Sequence, residues 1–177
     1  MNLSCVVAGS PGVGKTSIVK RCLKDYNKSY PTIGYEVHDK AMVLCEPPVN
    51  LCIVDMSGYL DVTLAPSSIT TNIDILILVY DVTDRESFES VDVWRDALTP
   101  AAQVFVVANK IDLPRAVTQL EGLKKAETLF ALYEETSAKN DEGIEDLFRI
   151  ACKHVVKERK ESTDVDSRRR KCECKIL

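Results

Sequence analysis

Gly9-Ser10-Pro11-Gly12-Val13-Gly14-Lys15-Thr16 carries the spacing Gly-x-x-x-x-Gly-Lys-Thr, the pattern of a backbone loop that wraps phosphate groups. Glycines let the main chain approach a phosphate closely. Successive amide N–H groups and the N-terminus of a following helix supply partial positive charge. Lys15 is suited to neutralise β- and γ-phosphates, and the Thr16 hydroxyl to ligate Mg²⁺. Gly12, Val13, Gly14 and Ser17 complete the expected phosphate contacts. A mere glycine-rich turn before a helix would leave the Lys-Thr pair unexplained.

Two later segments bear on the base. In Asn109-Lys110-Ile111-Asp112, a carboxylate at the last position can accept both N1–H and N2–H₂ of guanine, donors that adenine does not present together. Asp112 is therefore the expected base-selecting residue. Asn109 is expected to brace the phosphate loop and touch the ring edge, and the Lys110 stem to lie over the base plane. Alone, this tetrapeptide resembles an ordinary turn after a strand. A second segment, Glu135-Thr136-Ser137-Ala138-Lys139, strengthens it. Small residues there let backbone N–H groups approach guanine O6, so Ser137, Ala138 and Lys139 join the expected base contacts.

These motifs need elements to position them. Residues 3–8 form a short apolar run stopped by Gly9 and read as a buried strand, followed by a helix over 15–24. Residues 37–45 and 49–55 read as two strands of a hairpin joined at Glu46-Pro47-Pro48. Residues 56–72 are rich in Gly, Pro, Ser and Thr and read as irregular and mobile. Residues 73–80 are nearly all aliphatic, as suits a strand covered on both faces. Phe88, Val91, Trp94 and Leu98 mark the inner stripe of a helix after Asp84, and residues 103–108 a further buried strand. A helix over 118–131, a short strand over 132–135 and an amphipathic helix over 141–159 follow. Alternating strands and helices imply an α/β fold with a mostly parallel sheet. In such sheets ligands sit at the carboxyl ends of strands, where the motifs fall.

The chain has 177 residues, enough for one domain with a substantial core. Its net charge of −4 implies no bulk attraction to nucleic acid. The seven cysteines lack metal-ligand spacing in the body. Cys5, Cys45 and Cys52 read as small core residues, a usage that suits a reducing compartment. No signal peptide and no membrane-spanning apolar run are evident. His38 and His154 read as packing or surface residues. Asp61, Asp74 and the acidic residues over 84–96 read as solvated faces or caps.

Taken in order, 9–16, Thr32, 55–58, 109–112 and 137–139 resemble the five nucleotide-binding motifs of Ras-superfamily small GTPases, over roughly residues 1–160. Tyr80-Asp81-Val82-Thr83, Glu86-Ser87-Phe88, Trp94 and Thr32-Ile33-Gly34 look most like the Rab branch. Tyr35-Glu36 and the stretch after Gly58 depart from it. The resemblance implies a P-loop small G domain: a six-stranded, mostly parallel sheet with one antiparallel strand and about five flanking helices. It also implies GTP/GDP and Mg²⁺ as ligands. Thr32 would ligate Mg²⁺ and meet the γ-phosphate, and Asp55 would hold Mg²⁺ through a water. Gly58 would offer its N–H to the γ-phosphate, and Tyr26 would cover the guanine face.

Tyr59 stands where relatives carry the Gln that orients the attacking water. A phenol cannot copy an amide that both donates and accepts. Pro11 fixes φ, lacks an N–H and crowds the route of a partner's catalytic residue. Lys15, Thr32, Gly58 and Tyr59 thus form the expected catalytic set of a slow GTPase. The alternatives are a non-hydrolysing GTP-binding module, a Ras-like signalling GTPase and a P-loop ATPase or kinase, the last opposed by Asp112.

From Glu161 onward the apolar pattern ends, so 161–177 is expected to be a disordered basic tail behind a GTPase domain over 1–160. Its end, Cys174-Lys175-Ile176-Leu177, fits a geranylgeranylation signal beside Arg168-Arg169-Arg170-Lys171, with Cys172 as a second lipid candidate. The expectation is a monomeric, membrane-associated switch in vesicle trafficking, on the cytoplasmic face of a membrane and cycling with the cytosol. Its partners would be effectors reading 29–36 and 56–67, an exchange factor, an activating protein and a prenyl-binding escort, with no nucleic acid.

Overall fold

A computed structural model of the chain describes residues 1–25, 32–43, 48–60, 71–98 and 101–173. The elements run β1 (Asn2–Ala8), α1 (Lys15–Leu23), β2 (Tyr35–Met42), β3 (Val49–Met56), β4 (Ile73–Asp81), α2 (Arg85–Glu89), α3 (Val91–Ala97), β5 (Ala101–Asn109), α4 (Gln119–Thr128), β6 (Leu132–Glu135) and α5 (Ile144–Glu173). The sheet has six strands in the order β2-β3-β1-β4-β5-β6. Only β2 runs antiparallel to its neighbour β3; the other pairs are parallel. This is the α/β small G domain that the motifs imply.

Strand alternation divides the core. Along β1, Leu3, Cys5 and Val7 face one side with α1 and α5, while Val6 and Ala8 face the other. β4 and β5 repeat the pattern: Ile75, Ile77, Val79, Phe105 and Val107 point one way, and Leu76, Leu78, Tyr80, Val104, Val106 and Ala108 the other. Both faces are apolar because helices cover both. Cys5 is fully buried as expected. Cys52 shares a face with exposed Asn50 and is only half-buried. Cys45 lies outside the described residues. From β1 the chain builds β3 and β2 on one side and then β4 to β6 on the other. The reversal puts a crevice at the carboxyl end of β1.

Four expectations are corrected. The helix after Asp84 is interrupted at Ser90, whose hydroxyl donates to Ser87 O at 2.8 Å and meets Ser10 Oγ at 2.6 Å. A serine that bonds back to the previous turn competes with the helical ladder. The helix expected over 118–131 is shorter, because Thr118 caps it and Phe130, at φ 52°, ends it. The tail expected to be disordered over 161–177 continues as helix through Glu173, and 174–177 lie outside the described residues. No Gly or Pro interrupts residues 144–173, and Lys, Arg and Glu are good helix formers whatever their polarity. Asp74 is also more than a solvated face. Its carboxylate accepts from Ser4 N at 2.9 Å and pairs with Arg159 of α5.

The cap of α4 yields a pH prediction. Thr118 and Glu121 form a reciprocal capping box, and Arg85 donates to Glu121 at 2.8 Å. The Arg85 bond, followed by the Thr118 contacts, holds the Glu121 carboxyl down at about 2, against an ordinary 4.5. A depressed acid stabilises the fold fully above its unfolded pKa and loses that contribution as pH falls through the folded one. The stability difference between wild type and Glu121→Gln is therefore expected to shrink between pH 4.5 and 2. Urea midpoints across that range check it.

Candidate nucleotide site

The phosphate loop leaves β1 at Gly9 and enters α1 through Gly14, which caps the helix at φ 100°, in the left-handed region. A Cβ at Gly14 would lie 2.3 Å from Asn109 Nδ2. Asn109 is 1% exposed, and its amide donates to Val13 O at 2.8 Å. The asparagine therefore braces the phosphate loop, and only glycine leaves room for it.

Lys15 turns back over the loop and donates to Gly9 O at 2.7 Å and Ser10 O at 2.8 Å. The loop carbonyls hold an ammonium that a polyphosphate would otherwise engage. Burial pushes its pKa down to about 8, with the Asp55 carboxylate acting in the opposite direction. An anion beside it would favour the charged form.

Thr16, Thr32 and Asp55 arrive from α1, the start of the β2 segment and the end of β3. Thr16 Oγ1 donates to Asp55 Oδ2 at 2.6 Å, Thr32 Oγ1 donates to the same oxygen at 3.2 Å, and the two hydroxyls lie 2.9 Å apart. Asp55 Oδ1 is buried and accepts no hydrogen bond from the described residues. Burial raises the carboxyl's pKa, and the two threonine bonds oppose the rise. An orphaned buried carboxylate oxygen beside two hydroxyls is a set of hard donors that fits Mg²⁺.

A cavity of ≈ 380 Å³ opens beside this cluster, lined by Pro11, Gly12, Gly14, Lys15, Thr16, Ser17, Thr32, Met56, Ser57, Gly58 and Tyr59. Gly58 packs against the loop: a Cβ there would sit 2.3 Å from Pro11 N. Tyr59 stands at the rim, 82% exposed.

The base loops converge behind the phosphate loop. Asn109 Oδ1 accepts from Thr136 Oγ1 and Ala138 N, each at 3.2 Å. Asp112 Oδ1 accepts from Ser137 Oγ at 2.6 Å, and Lys139 Nζ lies 3.4 Å from Oδ2. The Ser137 bond in particular holds the Asp112 carboxyl below its usual range. Apart from the Lys139 ion pair, Oδ2 has no donor among the described residues. An ionised carboxylate with one oxygen clamped and the other open can take a paired N–H donor edge. Lys110, at φ 66°, pairs with Asp81 at 2.6 Å, so its stem is held from the end of β4.

Four residues were given no role by the motif reading: Arg21, Ser57, Ser10 and Ser90. Arg21 donates to Ala138 O at 2.8 Å and Lys139 O at 3.2 Å, tying α1 to the base loop. Ser57 and the Ser10–Ser90 contact border the phosphate side. A basic residue on the polar face of α1 was the only available sign of Arg21. Tyr26, Cys174 and much of the two expected effector segments (29–31 and 61–67) lie outside the described residues. Cys172 lies on α5.

A family model described as Ras family matches residues 4–157. Ras-related protein RabQ of Dictyostelium discoideum is 33% identical over 174 residues, covering 92% of this chain and 83% of the relative. Ras-related protein Rab-7b of Mus musculus is 34% identical, covering 85% of this chain and 80% of its own length. Ras-related protein Rab-21 of Homo sapiens is 35% identical, covering 92% and 74%.

Proposed function

This chain belongs to the Ras superfamily of small GTPases and is of Rab type, and from that premise we propose that it is a GTP/GDP switch in vesicle trafficking whose hydrolytic step is slow. The convergence of Thr16, Thr32 and Asp55 beside Lys15 carries this reading. It joins the phosphate loop to the Thr32 segment, whose order would depend on the nucleotide. Gly12, Val13, Gly14, Lys15, Thr16 and Ser17 line the polyphosphate path. Asn109, Lys110, Asp112, Ser137, Ala138 and Lys139 hold the base. Thr16 and Thr32 would ligate Mg²⁺ and Asp55 would hold it through a water; when bound the ion neutralises phosphate charge.

Water attacks the γ-phosphorus, and GDP and phosphate leave. The residues contribute position and electrostatics. Lys15 balances phosphate charge, and the Gly58 N–H meets the γ-phosphate. Tyr59 accounts for slowness by lacking the amide that orients water, and Pro11 by crowding the route of a partner's catalytic residue. The output is binding. Ile33 (94% exposed), Tyr35, Val37 and Tyr59 offer apolar surface along the β2 edge and beside Gly58 for an effector.

Among the described residues no helix is long and apolar enough to cross a membrane. Attachment would come from a prenylated Cys174, with Cys172 as a second site, aided by the basic run before them. An escort for the prenyl group, an exchange factor and an activating protein complete the partners.

The test is the nucleotide released from purified protein on denaturation, followed by competition among GDP, GTP and ATP. Guanine nucleotide bound at near 1:1, and ATP failing to compete, is the expected result. Release of adenine nucleotide, or of none with no GDP binding, defeats the reading.

A further inference from the structure

We propose that the Ser57 hydroxyl is a specificity-determining donor to the terminal phosphate of GTP, one that sets the preference for GTP over GDP. This rests on the guanine-nucleotide reading above and adds a residue that no motif assigns. Ser57 is 6% exposed and lines the phosphate cavity between Thr32 and Gly58. Its Oγ accepts the Tyr59 N–H at 3.3 Å, and among the described residues its own proton has no acceptor. A hydroxyl facing the cavity with its proton free can donate to an anionic phosphate oxygen, a stronger acceptor than a neutral one.

Position selects the terminal phosphate. The base side of the loop is marked by Asn109 against Val13 and Gly14. Ser57 and Gly58 stand at the other end, where Gly58 abuts Ser10 and Pro11. A polyphosphate running from the base loops past Lys15 reaches Ser57 with its last phosphate.

Ser57 is also tied to both neighbouring segments. Its N–H donates to Gly34 O at 2.9 Å, two residues beyond Thr32, and its Oγ holds the Tyr59 N–H. A hydroxyl anchored by the terminal phosphate therefore steadies both segments at once. When that phosphate is gone, its acceptor is gone.

The experiment measures affinities of fluorescent GDP and of a non-hydrolysable GTP analogue for the full chain with Mg²⁺, in wild type, Ser57→Ala, Ser57→Thr and Ser57→Cys. Loss of a hydrogen bond to a charged group lowers analogue affinity by about 10–100-fold in the Ala variant, with GDP changed less than about 3-fold. Thr, which keeps the hydroxyl, retains the wild-type ratio. Cys, close in size but a weak donor, loses it, so the result stands even where the Ala variant fails to fold. Equal losses for both nucleotides, or an unchanged ratio in the Ala or Cys variant, overturn the proposal. Wild type that binds neither nucleotide defeats the underlying reading instead.

Discussion

Asp112→Asn is expected to weaken GDP binding by roughly 10²–10⁴ and to turn the protein towards xanthine nucleotides. Two charge-assisted hydrogen bonds to the guanine edge are worth about 1.5–3 kcal/mol each. Their combined loss corresponds to that range of affinity. The structure orients the replacement amide. Ser137 Oγ donates to Asp112 Oδ1 at 2.6 Å, so the amide oxygen of Asn takes that place. Its nitrogen then falls where Oδ2 stands. There it opposes the guanine N2 donors but can donate to the C2 carbonyl of xanthine. Lys139 is 75% exposed and free to swing away from a neutral neighbour. Equilibrium titration with GDP and XDP measures both arms. A variant that holds GDP as tightly as wild type would remove Asp112 from the base-reading role.

Tyr59→Gln is expected to speed single-turnover GTP hydrolysis by up to about 10²–10³, the scale on which one misplaced polar group in a reacting site is felt. The side chain is 82% exposed at the rim of the cavity, so the exchange leaves the core untouched. Stability should change by no more than about 0.5 kcal/mol. A change in rate without a change in melting temperature thus isolates the chemistry. Pro11 remains against Gly58 in the variant and limits the gain. Wild type that already hydrolyses at the rate of its Rab relatives, with Tyr59→Gln no faster, would refute the assignment of Tyr59 to the water-orienting position.

The sequence by itself determined the parts whose physics is local. The Gly-x-x-x-x-Gly-Lys-Thr spacing of residues 9–16, the continuous apolar runs of β1, β4 and β5, and the Asx cap at Asp84 depend on a few consecutive residues, so they were legible in one dimension. The base-reading role proposed for Asp112 was likewise readable in one dimension, because the hydrogen-bonding edge of a carboxylate is a property of the residue. The tertiary structure alone decided which distant residues meet. Thr16, Thr32 and Asp55 are brought within 3.2 Å of one another by the order β3-β1 and the antiparallel return of β2. Arg21 reaches Ala138 across 117 residues because α1 and α5 cover the same face. Ser90 breaks its helix where the phosphate loop meets it, and Ser57 N–H meets Gly34 O because β3 ends beside it. Such contacts follow from sheet order and packing, which no local periodicity encodes. The continuation of α5 to Glu173 marks the opposite limit. An apolar stripe reports where a helix is buried, whereas backbone propensity governs how far it runs.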